Sequence, residues 1–191
     1  MTRISLVKAE KGQRISLTKD NPGLDKIAIQ LGWSPNAGGQ DFDLDISAFG
    51  LDAQGKCQNE NFLFYNQLQV EGMAHSGDER VGSSEGDAET INVELSRIPS
   101  SVEKIVFATT IHEGDARNQN FGMANNAYVK VYDSQNNAEL IQFDLSEDYS
   151  INKSIVVCEL YRHNGEWKFN ASGEGSSNDL GALCSQYGMD V

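Results

Sequence analysis

At 191 residues, with 39% hydrophobic and 23% charged side chains, the chain has the size and mixture of one folded domain and not of a disordered acidic tail. Twenty-eight Asp and Glu against fifteen Lys and Arg leave a net charge of −13, which argues against nucleic-acid partners and against docking on an anionic lipid surface. Apolar runs are no longer than strands, Met1 to Gln13 lack a signal-peptide core, and Cys57, Cys158 and Cys184 suggest neither a disulfide framework nor a zinc clip, so a cytoplasmic protein without membrane insertion is expected.

In chain order, Arg3-Ile-Ser-Leu-Val-Lys8 and Arg14-Ile-Ser-Leu-Thr-Lys19 are near copies and predict an N-terminal hairpin. After the turn signal Asn21-Pro22-Gly23, Ile27, Ile29, Leu31 and Trp33 alternate with polar or small residues, the period of a half-buried strand. Past Asn36 to Gly39, Phe42, Leu44, Ile46 and Ala48 alternate with Asp41, Asp43, Asp45 and Ser47, which predicts a second strand with one dry and one wet face. A turn at Asp52 to Gly55 follows, and Ile91, Val93 and Leu95 repeat the alternation. Lys104 to Ile111 and Ile155 to Tyr161 are apolar throughout, as in strands covered on both faces. Between them come a turn at Ser134 to Asn137 and an alternating run through Ile141, Phe143 and Leu145. Asn164-Gly165 is a two-residue hairpin signal before Trp167, Phe169 and Ala171. Asn178-Asp179 caps a short C-terminal helix through Leu183 and Cys184. Eight to ten short strands with little helix predict a mainly β protein, a single β-sandwich domain over residues 1–191.

Charge is concentrated. Residues 41–94 hold twelve acids and two bases, a balance of −10 out of the total −13. On an extended strand, Asp41, Asp43 and Asp45 share one face at steps of about 7 Å. Each neighbouring pair then costs about 2 kcal/mol at an effective dielectric near 20, which packing alone does not repay. A hard divalent cation does, since Ca²⁺ takes six to eight oxygens, several of them charged. Three carboxylates so spaced cannot surround an ion, so a second segment is required. Gly77 to Glu89 suits that role: Gly77, Gly82 and Gly86 allow tight turns, while Asp78, Glu85, Asp87 and Glu89 add carboxylates. The chain is not an EF-hand, because Ile46 stands where glycine is needed and Asp52 where glutamate is. The histidines and cysteines have no zinc spacing, so an oxygen shell for Ca²⁺ or Mg²⁺ is expected.

Leu31-Gly-Trp33, Asp41-Phe-Asp-Leu-Asp45, Phe64-Tyr-Asn66, His75-Ser-Gly-Asp78, Ile111-His112, Gln119-Asn-Phe-Gly122, Asp144-Leu-Ser-Glu-Asp148 and Glu159 to Lys168 together resemble the TerD family of tellurium-resistance and stress-response proteins. The resemblance runs the length of the chain. It implies a β-sandwich holding two Ca²⁺ ions in acidic loops, with Asn66 joining Asp41, Asp43, Asp45, Gly77, Asp78, Gly82, Glu85, Asp87 and Glu89 as the metal-site residues. It also implies partners in a stress assembly with a membrane-embedded component, protecting against tellurite, some phages and pore-forming colicins. Glu79, Ser83, Ser84, Glu85 and Ala88 depart from the family's second acidic motif, and Arg80 sets a cation beside it, which bears on the affinity of at least one ion.

Catalysis has weaker support. His112 to Asn120 is polar but has no G-x-S-x-G elbow, and is expected to buttress the ion sites, with Asp115 or Asn120 as a possible extra ligand. Gly173-Glu-Gly175 is a turn and not a dinucleotide loop. His75 and His163 read as structural, and the cysteines as isolated thiols. The expectation is a non-enzymatic calcium-binding module whose ordered loops bind partner proteins; the alternatives are a calcium-dependent hydrolase or phosphatase and a simple calcium store.

Overall fold

Alternating apolar residues become sheet throughout the chain because each strand has an inner face to bury. The computed structural model describes residues 11–35, 39–82 and 88–190. In chain order the strands are β1 (Arg14–Ser16), β2 (Lys26–Ser34), β3 (Leu44–Leu51), β4 (Cys57–Leu63), β5 (Gln69–Val70), β6 (Met73–His75), β7 (Glu89–Glu94), β8 (Lys104–Ile111), β9 (Asn125–Asp133), β10 (Ala138–Asp144), β11 (Ser154–His163), β12 (Glu166–Asn170) and β13 (Glu174–Ser176). Among the described residues, helix is confined to α1 (Leu17–Asp20), α2 (Leu145–Asp148) and α3 (Leu180–Gln186), apart from two single 3₁₀ turns.

The strands form two antiparallel sheets. One runs β10-β9-β2-β7-β6-β5; the other runs β1-β12-β11-β8-β3-β4, with β13 pairing beside β11. Ile27, Ile29 and Leu31 of the first sheet and Ile46, Phe107 and Val157 of the second meet in one apolar core, so the domain is the expected β-sandwich. A second apolar cluster lies on the far side of the second sheet, where Phe49, Leu51, Val106 and Val156 pack under Leu183, Cys184 and Tyr187. Asp179 caps α3 by accepting from the Ala182 amide at 2.8 Å, as its sequence position predicts. Asn164 and Gly165 both have positive φ and close the β11–β12 hairpin at His163 and Glu166.

Three readings need correction. Asp41 to Ala48 is not one strand with a wet face: β3 begins at Leu44, and all eight of its residues are buried. At Phe49 and Leu51 the reason is the second cluster, where α3 covers the face that alternation leaves for water; Asp45 is instead enclosed among Asp43, Glu89 and His112. The run at Arg14 to Lys19 stays extended only to Ser16 and then turns helical at Leu17; β1 pairs with β12, and the other half of the expected hairpin lies outside the described residues. Leu145 leaves β10 and opens α2.

Two long strands carried no reading from the sequence. In β9, Ala127, Val129 and Val131 alternate inward, a signal that was present. In β4, Gln58, Asn59 and Glu60 hide the strand because it is an edge.

Candidate metal centre

β3 and β7 come from different sheets but approach each other at one end, and there the two acidic segments meet. Asp45 is the second residue of β3, and Asp43 stands just ahead of the strand. Asp43 and Asp45 bring carboxylate oxygens within 4.8 Å of each other and of Asp78. Asp43 and Asp45 are buried, while Asp78 is exposed.

The scaffold under Asp78 is built from side chains. Gly77 has φ +119°, and its amide donates to His75 Nδ1 at 3.1 Å. That fixes the ring hydrogen on Nε2, which faces the Ile46 carbonyl at 3.1 Å and Glu89 Oε2 at 3.5 Å. Glu89 is wholly buried; its Oε2 accepts from the Ile46 amide at 2.9 Å and its Oε1 from the Glu79 amide at 3.2 Å. Sequence reasoning set Glu89 among the ligands and left His75 without a partner. In the fold, both lock the 76–79 segment against β3.

On the other flank, the loop after β8 grips the backbone ahead of β3. The His112 amide donates to the Asp43 carbonyl at 2.9 Å, and Gln119 Nε2 donates to the Asp41 carbonyl at 3.0 Å. His112 Nδ1 lies 3.9 Å from Asp45 Oδ2, and the His112 ring meets Tyr65 edge-on. Asp115 pairs with Lys153. Asp41 is exposed and stands outside the cluster, Asn66 sits in the exposed turn after Tyr65, and Glu85 and Asp87 lie outside the described residues.

The electrostatics are unfavourable as they stand. Burial, then the charges of Glu89, Asp43 and Asp78, push the Asp45 carboxyl up to about 8, with Arg80 opposing. Asp43 is raised first by burial and then by Asp78 and Glu89, against His112 and Arg117. The Tyr65 phenol is raised by burial and by the same three aspartates. Arg80 Nε bonds Asp78 Oδ2 at 3.0 Å, but its side chain is exposed and well screened. Asp43 Oδ1 is buried with no hydrogen-bond partner, as is Gln119 Oε1. A buried carboxylate oxygen without a donor, inside an all-oxygen group of three carboxylates, fits a hard cation such as Ca²⁺. The thiols do not compete for this role: all three are buried and protonated, with burial pushing Cys57 up to about 12 and Cys158 and Cys184 also upward.

Gly82, at φ +80°, closes the segment over the core. A Cβ there would meet Trp33 at 2.6–2.7 Å, and Trp33 Nε1 is itself committed to the Phe42 carbonyl at 3.0 Å. Gly82→Ala should therefore destabilise the protein by about 1–3 kcal/mol and weaken any ion bound beside Asp78. Thermal melts and calcium titration of the variant check both; an unchanged melting temperature would mean that the segment does not rest on Trp33.

The TerD domain family model matches residues 6–187. General stress protein 16U of Bacillus subtilis (strain 168) is 50% identical over 186 residues, covering 95% of this chain and 96% of that protein. Tellurium resistance protein TerD of Serratia marcescens is 42% identical over 189 residues, covering 97% and 98%. Among solved structures, a homologue of telluride resistance protein (TerD) from Streptomyces coelicolor A3(2) superposes with a TM-score of 0.75 at 20% identity, over 88% of this chain and 100% of that one.

Proposed function

The chain belongs to the TerD family of tellurium-resistance and stress-response proteins, and from that premise we propose that it acts as a non-enzymatic calcium-binding module of the cytoplasm whose loaded surface docks partner proteins. The observation that carries this reading is the meeting of Asp43, Asp45 and Asp78, two of them buried, with Asp43 Oδ1 left without a donor. These three carboxylates would hold the first of the two ions that the family resemblance implies. Bound calcium supplies positive charge at a point where four acids, Glu89 included, otherwise repel.

The partner surface is proposed on the same ground. Leu68 and Val81 are two of the few large apolar side chains that stand exposed, and both flank the segment that His75 and Glu89 hold in place. The proposed partners are other proteins of the stress assembly, including its membrane-embedded component. No helix among the described residues is long and apolar enough to cross a membrane, so reaching such a component calls for a docking surface of this kind. Isothermal titration of the chelator-treated protein with Ca²⁺ and Mg²⁺ tests the reading directly. Saturable calcium binding with weaker magnesium binding supports it, and no binding of either removes it.

Local order gives a second test. The amides of Gly77, Glu79 and Val81 are held by side chains of His75, Glu89 and Glu79, not by a neighbouring strand. Such amides exchange through local opening, independently of the sheets. Calcium should slow exchange across Ser76 to Gly82 at least about tenfold, while Ile105 and Val157 in the core change little. Uniform slowing everywhere would make calcium a global staple instead, and no slowing in the segment would leave partner docking without its switch.

A further inference from the structure

On the second sheet, far along the strands from the acidic cluster, lies a groove of opposite character. Its volume is roughly 280 Å³, and it is lined by Arg14, Ile15, Ser16, Tyr161, His163 and Lys168. Strand register explains the convergence. Ser16 pairs with Lys168 and Lys168 with Tyr161, so these three side chains stand in one row across β1, β12 and β11. Arg14 and His163 share that face and flank the row on opposite sides, Arg14 in register with Asn170 and His163 with Glu166. Trp167 and Phe169 point the other way and are buried, which fixes the orientation of Lys168.

The charges here are not spent on neighbours. Lys104, next in the row, donates to Glu159 Oε1 at 3.0 Å, and Asn170 holds Glu159 Oε2 at 3.0 Å. Arg162 is committed to the carbonyls of Val102 and Ile98 and stacks on Trp167. Among the described residues, Arg14, His163 and Lys168 make no ion pair or hydrogen bond through their side chains. The nearby acid is Glu166, whose Oε2 accepts from Ser16 Oγ at 3.2 Å. On a chain with nearly twice as many acids as bases, two adjacent unpaired cations in a concavity stand against the molecule's own excess.

We propose that this groove is a binding site for a small oxyanion of the phosphate type, taken either as the free ion or as a monoester. The donor set suits that ligand. Arg14 offers a planar fork that matches two oxygens, Lys168 a compact charge, and Tyr161 a hydroxyl donor. The volume falls just below that of sites for drug-sized ligands, which favours a small anion. The Tyr161 ring provides an apolar wall that would accommodate the organic part of an ester. The site does not depend on calcium and stands or falls apart from the acidic cluster.

The test uses the full chain carrying stoichiometric calcium without excess ion, at low ionic strength, titrated separately with inorganic phosphate, phenyl phosphate and tellurite. Amide shifts at Arg14–Ser16 and Tyr161–Lys168 report site occupancy. Saturable shifts are expected for phosphate or phenyl phosphate, and which of the two saturates identifies the source of the anion; saturation by tellurite alone would overturn the phosphate assignment. Lys168→Gln and Arg14→Gln should each weaken binding at least about tenfold, with calcium affinity and melting temperature unchanged. Glu166→Gln should tighten binding, because it removes the opposing charge. Lys130→Gln, on the other sheet and stacked over Tyr128, should have no effect. The proposal is overturned if no probe saturates up to about 10 mM, or if Lys130→Gln weakens binding as much as Lys168→Gln does.

Discussion

Calcium at about 1 mM should raise the melting temperature of the chelator-treated protein by roughly 8–16 °C. A site with a dissociation constant near 10⁻⁶ M gains about 4 kcal/mol at that concentration by mass action, and a domain of this size shifts by about 2–4 °C per kcal/mol. The physical source is visible at Asp45. Folding without metal buries its carboxyl beside Glu89, Asp43 and Asp78, and the group reaches about 8 before it ionises. A divalent cation removes that penalty in the folded state and finds no such cluster in the unfolded one. Magnesium should shift the midpoint less, because it parts with its waters reluctantly and tolerates only near-octahedral geometry. Scanning calorimetry with excess chelator, with magnesium and with calcium checks the order. A midpoint that stays put in all three would remove calcium from the account of this protein.

The second large effect is a pair of changes with opposite signs. Asp43→Asn and Asp45→Asn should each weaken calcium binding at least about tenfold, since each removes one of the three converging charges. In chelator, the same Asp45→Asn substitution should raise the melting temperature. Asp45 is a carboxyl whose folded pKa lies above its unfolded value of 3.8. The folded state therefore binds more protons, and metal-free stability falls as pH rises from about 4 to about 8. Near neutral pH that loss amounts to a few kcal/mol, and asparagine abolishes it. Linkage adds that calcium must displace the Asp45 proton, so calcium affinity should climb with pH up to about 8 and then level. Asp52→Asn is the control. Its Oδ1 accepts from the Gln54 and Lys56 amides in a turn outside both acidic segments, a role asparagine also fills. Urea melts across pH, with and without calcium, separate the two signs. A metal-free Asp45→Asn protein no more stable than the parent at pH 7 would mean that Asp45 is not the strained group.

Much of this arrangement is a property of the sequence. The alternation at Ile27 to Trp33 and at Ile91 to Leu95, the unbroken apolar runs at 104–111 and 155–161, the Asn164-Gly165 turn and the Asp179 cap each depend on near neighbours. Period, turn chemistry and capping are local, and the structure follows them. The segregation of acids into residues 41–94 is equally a matter of sequence, and it marks Asp41 to Asp45 and Gly77 to Glu89 as the two acidic segments without choosing among their carboxylates. Alternation says only that two faces of a strand differ; it does not say what will lie against each. That the far half of β3 is dry on both faces depends on α3, which arrives more than a hundred residues later and covers Phe49 and Leu51. That Asp41 stands apart while Asp43 turns inward depends on where β3 begins, and this is set by its pairing with β8 at Leu44 and Ile111. Glu89 became a brace for the Ile46 and Glu79 amides because β7 crosses beside β3 from the opposite sheet. The row of Ser16, Lys168 and Tyr161, with Arg14 beside it, exists only in register, drawn from positions about 150 residues apart in sequence. Which charges meet and which donors they lack are long-range facts, and only the packed sheets decide them.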